Sequence, residues 1–259
     1  MSETRRNWSR EELIVAFNLY CKIPFSKINY RLPQIQELAK AIGRTPSAVA
    51  WKLVNFASLD PDLQKRNISG AKNIGKQDKE IFEEFKNNWE GLIVESEFAY
   101  EKLVELKDND IDDSKLEFYY DETKLGLTKE VITRQRVNQS FFRKMILASY
   151  ENKCCVTGLP VKELLVASHI VPWRDDVINR LNPKNGLCLN SIHDKAFDKG
   201  LLTFDEDFRI VLSSKISKLD DEGSKQLLIN YDRMQIRMPT KFLPSQDFME
   251  YHRKNIFKG

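Results

Sequence analysis

Leu164–Trp173 reads LLVASHIVPW, an apolar run rich in β-branched residues that holds His169, one of only three histidines in the chain. A histidine is a costly guest in such a run. A buried neutral imidazole needs a hydrogen-bond partner at both nitrogens, and a charged one needs a counter-charge. The run reads as a strand that stops short of Pro172. After it, a turn-rich loop beginning WRDDVINRLNPK leads to Asn185, and GLCLN (Gly186–Asn190) reads as a second strand. SIHDKAFDKG (Ser191–Gly200) then reads as a short helix opening with His193 and Asp194. Strand with histidine, loop, asparagine and strand, helix with histidine: such a ββα unit folds back on itself and gathers His169, Asn185 and His193. A lone histidine here would ordinarily be a packing residue.

Upstream, TRQRVNQSFFRKMILASYENKCC (Thr133–Cys155) reads as a basic amphipathic helix. Phe141, Met145, Ile146 and Ala148 face a core, and Arg134, Arg136, Arg143 and Lys144 are left to solvent or phosphate. Downstream, GLLTFD and FRIVLS read as two further short strands.

The N-terminal block reads as helices. Ser9 and Glu12 form a capping box before Leu13, Ala16, Phe17 and Tyr20, and Pro24 ends the run. A second helix starts near Pro33, packs Ile35, Leu38, Ala39 and Ile42, and ends at Gly43. Thr45 caps a third, with Pro46 in its first turn and Val49, Leu53 and Phe56 inward. Two helices across a tight GRT turn after a preceding helix follow the helix-turn-helix pattern. Ser47, Trp51, Lys52 and Asn55 then face outward and, with Arg44 in the turn, become candidate DNA contacts. The plainer alternative is a helical bundle whose third helix only packs. A further helical stretch runs from about Gln77 to Trp89.

The chain has 259 residues and a net charge of +3, unevenly spread. Residues 90–122 carry twelve acidic side chains against three lysines, while residues 1–89 carry fifteen basic against ten acidic groups. Two basic blocks around an acidic one suit a polyanion-binding protein. No run is long enough to span a membrane, the opening MSETRRNWSR lacks the apolar stretch of a signal peptide, and the four cysteines have no regular spacing. A cytoplasmic protein with reduced thiols is expected.

The set ASHIVPW…RLNPKNGLCLN…HDKAFDKGL resembles the HNH nucleases, the His-Me finger or ββα-metal fold, in the variant found in bacterial restriction-type endonucleases. The resemblance covers about residues 130–256, with RVNQSFFRKMILASYENKCCVTGL and YHRKNIF on its flanks; RTPSAVAWKLVNFASLDP resembles a helical domain fused to such nucleases. It implies an α+β protein: an all-α, helix-turn-helix-like domain over 1–89, an acidic connector or linker over 90–125, and a nuclease domain over 126–259. It further implies His169 as general base, Asn185 as the tie between the strands, and His193 as a metal ligand for Mg²⁺ or Mn²⁺. The implied activity is metal-dependent cleavage of double-stranded DNA by a homodimer, in restriction or phage defence. The alternative is a DNA-binding protein on an inactive HNH scaffold.

Two departures from the family pattern matter. Many members place aspartate just before the first histidine as a metal ligand, and here that residue is Ser168, which either holds the ion through water or yields to another oxygen, with Asp194 and Asp198 the candidates. Lys195 is a candidate phosphate contact. The paired Cys-x-x-Cys motifs of zinc-binding members are missing, so no structural zinc is expected, and Cys154, Cys155 and Cys188 read as small core residues. His252, distant in sequence, is expected to pack.

Overall fold

The computed structural model describes residues 6–65, 74–105 and 129–259, and for 105 and 129–136 the backbone alone. The described chain is α+β, with a helical N-terminal region followed by two small sheets and short helices, as expected. It forms two compact units. One comprises Met1–Tyr20, Ile28–Leu59 and Gly70–Phe141, the other Cys21–Lys27, Asp60–Ser69 and Phe142–Gly259. No helix among the described residues is long and apolar enough to cross a membrane.

In the first unit the capping box forms at the start of α1 (Arg10–Lys22). The Glu12 N–H donates to Ser9 Oγ at 3.2 Å, and Ser9 N–H donates to Glu12 Oε2 at 2.9 Å. Helix α2 (Pro33–Ile42) buries Ile35, Leu38, Ala39 and Ile42 and ends at Gly43, whose φ of 69° is the left-handed conformation glycine adopts at no steric cost. Helix α3 (Pro46–Leu59) follows with Thr45 Oγ1 accepting the Ala48 N–H at 3.2 Å, and buries Val49, Leu53 and Phe56. Phe17 packs its ring 5.0 Å from Phe56 and 5.6 Å from Phe82. Phe82 belongs to α5 (Lys76–Phe85), while the short α4 (Pro61–Lys65) belongs to the second unit. The expected helix from Gln77 to Trp89 is two helices, because α6 (Trp89–Glu105) begins after a turn. Helix α6 carries the first part of the acidic segment; its remainder to 125 lies outside the described residues, as do the side chains of Arg134 and Arg136.

The second unit is built on a hairpin. Strand β1 (Leu165–His169) pairs antiparallel with β2 (Gly186–Asn190), setting His169 opposite Gly186 and Leu165 opposite Asn190. Helix α7 (Lys129–Ser149) supplies Phe142, Met145 and Ile146 to the core. Gly186 is where α7 and β2 come closest: a Cβ there would sit 2.4 Å from Ile146 Cδ1 and 2.8 Å from the Phe142 ring. Arg143 is not left to solvent. Its guanidinium donates to the Leu165 and Lys162 carbonyls at 2.7 and 3.1 Å, capping backbone acceptors beside β1.

Helix α8 (Ser191–Asp198) starts directly from β2, with Asn190 as N-cap. Strands β3 (Leu202–Phe204) and β4 (Ile210–Leu212) form the second hairpin, followed by α9 (Ser214–Ser217) and α10 (Glu222–Leu227). The C-terminal α11 (Gln246–Asn255) lies against β3 and α8.

Candidate active site

His169 closes β1 with its ring laid flat on Phe142, centroids 4.0 Å apart and planes 8° from parallel, and edge-on to Trp173 at 5.4 Å. These contacts hold the plane of the ring. Its Nε2 lies 2.9 Å from the Arg180 carbonyl oxygen. A carbonyl only accepts, so Nε2 carries the proton and Nδ1 of the neutral ring carries the lone pair. Burial lowers the His169 pKa, opposed by the hydrogen bond to Arg180. The ring is thus disposed to be neutral near pH 7, the state a general base requires.

Asn185 is fully buried at the end of a short turn (Pro183–Asn185) before β2. Its Oδ1 accepts the Val171 N–H at 2.7 Å, and its Nδ2 donates to the Val171 and Asn179 carbonyls at 3.2 and 3.3 Å. One side chain therefore ties the exit of β1 to both the following loop and the start of β2. The loop holds itself in turn: Arg180 Nε donates to the Trp173 carbonyl at 2.8 Å, with its guanidinium 5.2 Å from the Trp173 ring centre.

His169 lines a cleft of about 230 Å³ together with Arg174, Lys195, Asp198, Lys199 and His252. Three cations and one carboxylate around a neutral imidazole suit a phosphodiester. Ser168 is buried beside His169, and its Oγ makes no hydrogen bond of normal geometry. The hydroxyl is nonetheless close enough to the Asp194 carboxylate to hold that pKa down, against a larger upward push from burial. Burial also raises the Asp198 pKa, and so does the neighbouring charge of Asp194. Asp194 and Asp198 stand one turn apart on one face of α8.

His193, on the same helix, faces elsewhere. It is buried, its ring is edge-on to Tyr231 at 5.3 Å, and it is not among the residues lining the cleft. Asn190 Oδ1 accepts the Ile192 and His193 N–H groups at 3.1 and 2.9 Å and lies 2.9 Å from His193 Nδ1. An amide oxygen cannot donate, so Nδ1 is protonated. Nε2 is left buried without a partner, and burial drives the pKa down to about 4.

Residues 154–205 match the family model described as HNH endonuclease. Over this segment the chain is similar to HNH endonuclease domains. The match spans β1, Asn185, β2, α8 and β3 and leaves the N-terminal helices outside it. No curated protein matches the chain.

Of the expected site residues, His169, Lys195 and Asp198 line the cleft, Ser168 precedes His169 and lies beside Asp194, and His193 is buried against Tyr231. Among the described residues no three histidine, cysteine, aspartate or glutamate side chains converge on one point. The expected ligand set is His193, Ser168, Asp194 and Asp198. Its oxygen donors do fit a hard divalent ion: Mg²⁺ is held by one or two carboxylates plus water and substrate phosphate. The buried Ser168 hydroxyl, whose contact with Asp194 falls short of normal hydrogen-bond geometry, is an oxygen such a site would use. Cys154, Cys155 and Cys188 are buried free thiols.

His252, distant in sequence, lies against α8. Its ring stacks on Phe197 at 3.7 Å, its Nδ1 is 2.9 Å from Thr203 Oγ1, and its Nε2 donates to the Phe197 carbonyl at 3.1 Å. Both nitrogens are satisfied, the condition a packing histidine must meet.

The DNA contacts expected in the first unit divide. Ser47 and Trp51 are exposed, Trp51 by 65%. Arg44 is only 9% exposed, donates to Glu12 at 2.8 and 3.0 Å and covers the Trp8 ring. Lys52 and Asn55 both donate to the buried Asp78, at 2.7 and 2.9 Å. These three hold the helices together and are not an outward-facing surface. Asp78 and Glu12, far apart in sequence from their partners, gave no periodic signal of these pairs. The same holds for the Arg180 carbonyl, since a backbone acceptor has no residue signature. Sequence reasoning named Phe141 for the core of α7 and passed over Phe142, the floor under His169.

Proposed function

We propose that the chain is a metal-dependent DNA endonuclease in which His169 is the general base. The observation that carries this reading is the Nε2–H hydrogen bond to the Arg180 carbonyl, which leaves Nδ1 as the basic nitrogen on a ring lining a cationic cleft. In this role Nδ1 takes a proton from the attacking water, while Phe142 and Trp173 keep the ring in place. Asp194 and Asp198, with Ser168 direct or through water, hold one divalent ion, Mg²⁺ or Mn²⁺. Such an ion supplies positive charge to the scissile phosphate and the departing 3′ oxygen. Asn185 fixes the β1 exit and the loop that orients His169. Lys195, Lys199 and Arg174 draw the phosphate backbone towards the cleft by charge. His193 serves the site from behind, by packing α8.

Ser47 and Trp51 on α3 are the remaining contacts through which the helical region would touch DNA. One cleft per chain favours a homodimer for cutting both strands, and restriction or phage defence is the setting the family resemblance suggests. Ser168 in place of an acidic ligand favours one second reading, a DNA-binding protein on an inactive HNH scaffold.

Incubation with supercoiled plasmid, modified and unmodified, in Mg²⁺ or Mn²⁺ separates them. The nuclease reading expects nicked and linear products that disappear with EDTA and with His169→Ala. A gel shift without products on duplex DNA, single strands and RNA selects the scaffold.

A further inference from the structure

The loop between His169 and Asn185 presents Val177 and Ile178 side by side in solvent, 65% and 93% exposed. Leaving two adjacent apolar side chains in water costs free energy that burial against a partner would recover. The tip is not slack. Asp176 Oδ1 accepts the Ile178 and Asn179 N–H groups at 3.1 and 3.0 Å, and Asn179 Nδ2 donates to Asp176 Oδ2 at 2.7 Å. Asn182 Nδ2 donates to Asn179 Oδ1 at 3.0 Å, and Asn185 Nδ2 reaches the Asn179 carbonyl. Two residues past Ile178, the Arg180 carbonyl holds His169. Two residues span at most about 7 Å, so the apolar tip is mechanically continuous with the proposed base.

We propose that Val177 and Ile178 form a wedge that enters a base step of duplex DNA beside the scissile phosphate. This rests on the nuclease reading and names how that site grips its substrate. Base faces are apolar and base edges polar, so a compact pair of branched side chains suits the gap of an opened step. Charge favours the same partner: Arg174, 87% exposed and held by a surface pair with Asp175 at 3.2 Å, lines the cleft, and Lys184 is exposed at the far end of the loop. Insertion would fix the backbone of the opened step relative to His169 Nδ1.

An inserted wedge unwinds the duplex, and this can be read without cleavage and without knowing the preferred sequence. A closed-circular plasmid is relaxed by a metal-independent topoisomerase in EDTA, with the full chain at known gel-shift occupancy. The wild type is expected to lower the plasmid's linking number in proportion to bound protein. Val177→Ser/Ile178→Ser, at equal occupancy and with unchanged thermal unfolding, is expected to leave it unaltered. Leu219→Ser, at another exposed apolar position, should behave as wild type. In Mg²⁺ the double variant should nick plasmid at least about tenfold more slowly.

No shift by the wild type, or an equal shift by the double variant, overturns the wedge. Cleavage without unwinding leaves the nuclease reading standing and removes the wedge; unwinding without cleavage in Mg²⁺ or Mn²⁺ does the reverse. If the double variant instead loses a dimer in sedimentation with unwinding intact, the tip belongs to a second copy of the chain and the proposal fails.

Discussion

Three imidazoles in this chain meet three different environments, and their chemistry differs accordingly. His169 has one nitrogen pinned and one left basic, His252 has both satisfied, and His193 has one buried without a partner. Burial lowers the His169 pKa below its ordinary 6.5, so the base stays neutral as pH falls through that value. The acid limb of the single-turnover nicking rate is therefore expected below pH 6.5, read as rate against pH at saturating Mg²⁺. Asp198→Asn should raise the Mg²⁺ midpoint about tenfold or more, whereas His193→Gln should leave it within about twofold and lower thermal stability instead. Metal titration of the nicking rate checks both. The sequence made His169, Asn185 and the acidic pair legible, because imidazole, amide and carboxylate each announce a chemistry. The partners of His193, Asn190 Oδ1 and the Tyr231 ring, were not legible, because no spacing in the sequence marks them.

At the scale of elements, the ββα unit depends on two close fits. Gly186 admits α7 against β2, and Gly186→Ala is expected to cost about 1–3 kcal/mol, since Ile146 and Phe142 must move. Because Phe142 is also the floor beneath His169, the same change should slow nicking beyond what its stability loss explains. Asn190 caps α8 through two N–H groups and holds His193, so Asn190→Ala should cost about 1 kcal/mol or more. Denaturant unfolding of the two variants tests both figures. The elements were read well where local rules govern: Ser9 with Glu12, Gly43 and Thr45 mark helix ends that the structure reproduces. They were read poorly where a distant partner decides. Lys52 and Asn55 look like a reading face on α3 until Asp78 from α5 turns them inward.

For the whole molecule, the buried histidines set a limit on acid stability. His193 and His252 each have pKa values lowered to about 4 by burial. The unfolded chain binds their protons near the ordinary 6.5 and the folded chain does not, so stability rises with pH across this interval and is lost as pH falls from about 6.5 towards 4. Both act in the same direction, so their contributions to that loss add. Unfolding midpoints in denaturant should fall steeply between these pH values, and His252→Gln should flatten the fall. Charge acts at the same scale: with cations lining the cleft, plasmid affinity should drop with rising salt, and less steeply once Arg174 and Lys199 are both alanine.

The central claim is that His169 moves the proton while Asp194 and Asp198 hold the ion. Single-turnover nicking of supercoiled plasmid by the wild type, His169→Ala and Asp198→Asn across a Mg²⁺ titration tests it most directly. The expected result is a His169→Ala rate at least about a hundredfold lower with an unshifted Mg²⁺ midpoint, and a shifted midpoint for Asp198→Asn. A His169→Ala variant that nicks at the wild-type rate would contradict the account.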